Sequence, residues 1–164
     1  MTEKEIVNGW CDRFFVNDRK GWIFPNVFFA GFEADLLEIT GSGYCHEIEV
    51  KISRADFLGD MKKSRAFVKG IGENVIKHEQ IQSGKRVNRF SYVVPEGLVT
   101  PEEVPEYAGL FYAKKYPCTN YELLICTQQK GAPPLTVEKF TNPLETGLKS
   151  CYYRFHELRK NSLA

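Results

Sequence analysis

The chain has 164 residues, 43% of them hydrophobic and 13% aromatic, enough apolar material for one packed core and too much for a disordered chain. A formal net charge of +1 gives no whole-chain pull toward nucleic acid or membrane, so only the placing of charge along the sequence can speak to a partner. Five widely spaced cysteines without a Cys-x-x-Cys pair argue against a disulfide scaffold or a zinc ribbon and fit a reducing cytoplasm. The opening Met1-Thr2-Glu3-Lys4-Glu5 leads into no signal-peptide core, and no apolar run is long enough to cross a bilayer; a soluble, cytoplasmic protein is expected.

Residues 2–16 predict a helix, with Thr2 and Glu5 as a capping box and Ile6, Trp10 and Phe14 on one face. Residues 17–26 predict a connection, and 26–30 a short strand that Gly31 interrupts. Phe32 to Thr40, then Gly41-Ser42-Gly43, then Tyr44 to Ile52 predict a β-hairpin. Ser53 and Asp56 are spaced to cap a helix that begins near Arg54, runs past Phe67 and Val68, breaks at Gly70 and Gly72 and resumes over 73–82. Strands are predicted over 90–94, 108–113 and 123–127, with a proline-bearing loop at 95–106 and a closing helix over 143–160, Leu148 facing inward. The order predicts an α/β domain over 1–164 with a mixed sheet flanked by helices, a core over about 1–95 and a smaller extension over about 96–164.

The hairpin carries the chemistry. With a three-residue turn, partners across it have numbers summing to 84, so Asp35 falls opposite Glu49 and Glu33 opposite Lys51, all on one face. A two-residue turn sends Asp35 to the other face. Two facing carboxylates repel when ionised, and a divalent cation relieves them. Mg²⁺ or Mn²⁺ suits a site built from Asp35, Glu49 and the main-chain carbonyl of Val50, with Glu33 as a further acid beside it. Lys51 would stand next to a metal-bound water or a developing charge. The same alternation also describes a plain solvated strand face, with Glu and Lys set opposite each other for solubility.

The string Glu33-Ala34-Asp35-Leu36-Leu37, then Glu47-Ile48-Glu49-Val50-Lys51-Ile52-Ser53-Arg54-Ala55-Asp56-Phe57 resembles the PD-(D/E)XK nuclease superfamily. The longer pattern over about residues 28–113, with Asn88-Arg89-Phe90-Ser91-Tyr92-Val93-Val94-Pro95-Glu96-Gly97-Leu98 and Val104-Pro105-Glu106-Tyr107-Ala108-Gly109-Leu110, is similar to the MmcB-like DNA-repair group and related phage and bacterial proteins. The resemblance implies a restriction-endonuclease-like fold and a Mg²⁺- or Mn²⁺-dependent nuclease acting on DNA, in DNA repair or phage DNA metabolism. It makes Asp35 and Glu49 metal ligands and Lys51 the catalytic lysine. Many members add an acid from the first helix, for which Glu3 and Glu5 both qualify, and many pair as homodimers.

Residues 53–90 hold nine basic against four acidic residues, which suits flanking phosphates; Arg54, Lys62 and Lys63 are the candidate nucleic-acid contacts. A solvated basic helix face accounts for the same letters. His78 follows Lys77 in the second helical stretch and reads as a polar helix residue. The aromatic residues Phe28, Phe29, Phe90, Tyr92, Phe111 and Tyr112 read as core or sheet-face residues. A non-cleaving nucleic-acid-binding module on the same fold, and a protein-interaction module, are the alternatives to the nuclease.

Overall fold

The computed structural model describes residues 1–16, 21–62, 64–65, 75–119 and 122–138, with Leu148 and Cys151. The first helix, α1 (Glu3–Val16), starts where the sequence predicts it. The Thr2 main-chain N–H donates to Glu5 at 2.6 Å and the Glu5 N–H to the Thr2 hydroxyl at 3.3 Å, which completes the capping box. Its apolar stripe, Ile6, Trp10 and Phe14, is buried.

Strand β1 (Gly21–Phe29) begins five residues before its predicted start and contains Pro25. An edge strand tolerates proline because one side of its backbone needs no ladder partner, and β1 is an edge strand. Ala30 and Gly31, both at positive φ, turn it tightly into β2 (Phe32–Thr40), as the right-handed twist of a hairpin favours. The turn 41–43 then leads to β3 (Cys45–Val50).

Helix α2 (Arg54–Asp60) starts under a Ser53 cap whose hydroxyl accepts the Asp56 N–H at 3.1 Å. It ends at Asp60, well short of the predicted Val68. Instead of further helix, two short strands, β4 (Ser64–Arg65) and β5 (Val75–Ile76), pair antiparallel and lead into α3 (Lys77–Gln82). Phe67, Val68, Gly70 and Gly72 of the expected helix lie outside the described residues.

Strands β6 (Arg89–Pro95), β7 (Ala108–Pro117) and β8 (Glu122–Lys130) follow. All the long strands join one six-stranded mixed sheet in the order β1-β2-β3-β6-β7-β8, with β3, β6 and β7 parallel and the rest antiparallel. The chain is thus α/β with helices on the sheet, and β7 and β8 continue that sheet. One face buries Ile6 and Trp10 of α1 against Leu36, Ile48 and Val93. The other buries Phe57 and Ile81 of α2 and α3 against Leu37, Phe90 and Tyr92. The predicted closing helix lies outside the described residues except at Leu148 and Cys151, both helical, and Leu148 is 55% exposed where an inward position was expected. Phe28, 56% exposed on β1, is a sheet-face residue and not a core one.

Candidate active site at the splayed hairpin end

The hairpin has the three-residue register. Its ladder runs from Ile39↔Cys45 to Leu36↔Ile48, every pair summing to 84, and the next step sets Asp35 against Glu49. There the two strands part. Asp35 Oδ2 takes the Val50 N–H at 2.7 Å, so a side chain replaces the ladder at the point where β3 ends.

Asp35 also marks a break in alternation. Ala34 packs with Leu37 on one sheet face, while Leu36 packs on the other; opposite, Asn26 of β1 has φ +48. The break overturns the expected place of Glu33. Its side chain is exposed, it pairs with Phe28 of β1, and β3 stops at Val50 before any Glu33–Lys51 pair can form. Glu33 touches the cluster only through its main-chain carbonyl, which accepts from Lys77 Nζ at 3.3 Å.

Glu49 is fully buried. One of its oxygens takes Lys51 Nζ at 2.7 Å and the other takes Lys77 Nζ in a short contact. Lys77 also meets Glu47 at 2.8 Å, and Glu47 receives Arg86 Nε at 2.5 Å and its second nitrogen at 3.0 Å. Arg86 donates onward to the carbonyls of Phe29 at 2.6 Å and Ala30 at 3.1 Å, which ties the β1–β2 turn to the row. On the other side Lys51 Nζ lies 3.0 Å from Asp60 Oδ1. Asp60 Oδ2 takes His78 Nε2 at 2.8 Å and the Tyr92 hydroxyl at 3.0 Å, and His78 Nδ1 meets the Tyr107 hydroxyl at 2.9 Å. Acids and bases therefore alternate through one buried row, Arg86–Glu47–Lys77–Glu49–Lys51–Asp60–His78.

Position in that row sets the charges. Burial and the neighbouring Glu49 push the Asp35 carboxyl up to about 7, against the opposing pull of Lys51 and the Val50 N–H; Glu3 adds to the rise. Burial acts to discharge Lys51, but Glu49 and Asp60 outweigh it and hold the ammonium above its ordinary pKa. Burial also works against ionised Asp60, yet the His78 hydrogen bond and the charges of Lys51 and Lys77 carry it well below the carboxylate range. Burial pushes the Tyr107 phenol up to about 12, with Asp60 adding to it.

Of the two first-helix acids, Glu3 is the one whose charge reaches Asp35. Glu5 is committed to its cap and to Lys115 at 2.7 Å. Lys51 borders a pocket of about 430 Å³ with Ser53, Ala55, Asp56, Gly59 and Asp60, through which the row meets solvent. Hard oxygen donors are present for a cation in Asp35, Glu49 and the Val50 carbonyl. Among the described residues no group of three or more His, Cys, Asp or Glu side chains is set to hold a metal ion, so such a cation would depend on two carboxylates with water and substrate, the usual manner of Mg²⁺.

The expected nucleic-acid contacts fare unevenly. Arg54, exposed, is in an ion pair with Glu103 and also donates to the Leu98 carbonyl at 3.3 Å, so a phosphate at Arg54 would compete with Glu103. Lys62 is exposed, and Lys63 lies outside the described residues. Two members of the basic segment, Lys77 and Arg86, are fully buried against Glu47 and Glu49, so they add nothing to a basic surface. Sequence reasoning missed Asp60, Lys77, His78 and Arg86 as parts of the site; the faint signal was a pair of bases beyond β3 whose charges match the acids within it.

Among the described residues no helix is long and apolar enough to cross a membrane. No protein-family profile matches the chain, and no curated protein does. A solved structure of a protein of unknown function from Silicibacter pomeroyi is similar to it, with a TM-score of 0.63 at 16% identity over 99% of this chain and 94% of that one, a likeness of fold alone.

Proposed function

We propose that the chain is a Mg²⁺- or Mn²⁺-dependent nuclease of the PD-(D/E)XK type, with a restriction-endonuclease-like sheet, that hydrolyses phosphodiester bonds of DNA. One observation carries the reading: where β2 and β3 part, Asp35, Glu49 and Lys51 meet, and burial together with the charge of Glu49 pushes the Asp35 carboxyl up to about 7. An acid under that tension is what a cation would relieve. Asp35, Glu49 and the Val50 carbonyl would hold the ion, which supplies an activated water and charge stabilisation at the phosphoryl group. Lys51, at the edge of the pocket, would orient the attacking water or stabilise the developing charge. Glu3 adds negative potential from α1, and exposed Lys62 is placed to meet a flanking phosphate. Work in DNA repair or phage DNA metabolism would follow from the same chemistry, as would pairing of two copies to cut both strands.

The test is cleavage of single- and double-stranded DNA with Mg²⁺ or Mn²⁺, halted by chelator. Lys51→Ala should lose cutting by about 10³-fold or more with the fold intact; unchanged cutting in that variant refutes the assignment.

A second reading is a non-cleaving nucleic-acid-binding module on this fold. It is favoured by the engagement of both Glu49 oxygens by lysines, a neutralisation achieved without metal. Binding to DNA that survives Lys51→Ala and weakens on reversal of Lys62, with no cleavage under any metal, would select it.

A further inference from the structure

Lysine has four rotatable side-chain bonds and loses about 2 kcal/mol of rotamer entropy when fixed. A lysine that must present its ammonium to one oxygen therefore needs a second hold. Lys51 has two: Glu49 Oε2 at 2.7 Å from its own strand and Asp60 Oδ1 at 3.0 Å from the last residue of α2. Asp60 is costly where it stands. It is only 3% exposed and sits at the helix end where a negative charge is disfavoured. An apolar residue there would suit folding better, unless the charge serves the lysine. Its other oxygen is fixed by two donors, His78 Nε2 at 2.8 Å and the Tyr92 hydroxyl at 3.0 Å. Because ionised Asp60 can only accept, His78 carries a proton on Nε2. His78 is itself 5% exposed and is steadied at Nδ1 by Tyr107 at 2.9 Å.

We propose that Asp60, oriented by His78, is the positioning residue for Lys51, holding its ammonium at the edge of the pocket between α2 and the end of β3. The proposal deepens the nuclease reading and rests on it for its catalytic consequence. Asp60 and His78 act through Lys51: they set where the ammonium stands.

The experiment combines DNA-cleavage kinetics with amine labelling of the metal-free protein by reductive methylation, read residue by residue. Asp60→Asn keeps the shape and removes the charge. It should lower kcat about 10- to 100-fold with KM within about twofold. It should also label Lys51 about tenfold faster or more while Lys77, which is fully buried, stays protected. His78→Ala should lower kcat about tenfold, and His78→Gln, whose amide nitrogen can still donate to Asp60, should recover most of it. A folded Asp60→Asn protein with wild-type kcat and wild-type Lys51 labelling overturns the proposal. So does labelling that rises equally at Lys51 and Lys77, since that marks a merely structural loss. If Asp60→Asn fails to fold, the His78→Ala and His78→Gln pair decides. If the wild-type protein cuts no DNA, the nuclease reading falls, and the labelling of Lys51 against Lys77 still supports or overturns the positioning role.

Discussion

Replacing Asp35 by asparagine removes one charge from the acid pair and keeps an oxygen for the Val50 N–H. In the folded chain the Asp35 carboxyl titrates at about 7, against 3.8 for a free aspartate, pushed up by burial and by Glu49. The unfolded chain releases that proton near pH 4 and the folded chain holds it to about pH 7, so between those values the folded state binds more protons and stability falls as pH rises. At about 1.36 kcal/mol per pH unit the penalty has a ceiling of about 4 kcal/mol above pH 7, and solvent relaxation around a partly accessible carboxyl reduces it to about 1–3 kcal/mol. The Asp35→Asn protein carries no such penalty. It should match wild type near pH 4 and melt about 3–10 °C higher near pH 8 in the absence of metal. Excess MgCl₂ should raise the melting temperature of wild type near pH 8, because an ion that binds the folded chain stabilises it; the variant should gain little. Thermal melts across that pH range, with and without Mg²⁺, read both effects. A melting difference that is the same at both ends of the range refutes the electrostatic account of Asp35.

Arg86→Met should cost about 3–5 kcal/mol in urea unfolding, because it leaves buried Glu47 short of its fork. Adding Glu47→Gln should recover part of that loss, whereas Arg86→Lys should not, since one ammonium cannot span Glu47 and the Phe29 and Ala30 carbonyls. Ser53→Ala should cost about 1 kcal/mol through loss of the α2 cap, with Ser53→Asp near wild type in the same assay. Gly109→Ala should destabilise by about 1–3 kcal/mol, because its new methyl would lie 2.5 Å from Ser91 Oγ and 2.9 Å from the Ala132 nitrogen; Ser91→Ala should relieve part of that strain.

The fold was legible where a local rule has one outcome. The Gly41-Ser42-Gly43 turn carries the β2–β3 register: with three residues in the turn, partners sum to 84, as the ladder from Ile39↔Cys45 to Leu36↔Ile48 does. The Thr2–Glu5 box fixes the start of α1 because both hydrogen bonds lie within one turn. The helix expected to resume before Gln82 is present over Lys77–Gln82, whereas Ser64–Arg65 and Val75–Ile76 were misread as helix, because short mixed runs suit either state. Pairing between β4 and β5, a contact outside any helical window, decided it. Pro25 misled in a similar way: proline ends an interior strand, but whether a strand lies at an edge is a property of the assembled sheet.

Within the site, Asp35, Glu49 and Lys51 could be read because one hairpin brings them together. Their partners could not, because each is distant in sequence: Lys77 reaches Glu49 across 28 residues and Arg86 reaches Glu47 across 39. Letter by letter, a basic residue beyond a strand reads as solvated surface, since most exposed lysines and arginines are. The better reading weighs charge across elements. A strand that alternates apolar residues with Glu47, Glu49 and Lys51, yet is covered on both faces, must bury two carboxylates and an ammonium, and each buried charge requires a counter-charge. Lys51 can balance only one of the two acids, so at least one further base has to come from the elements packed over β3. Lys77 on α3 and Arg86 just beyond it meet that need, and with it the charge they seemed to lend a nucleic-acid surface is spent inside.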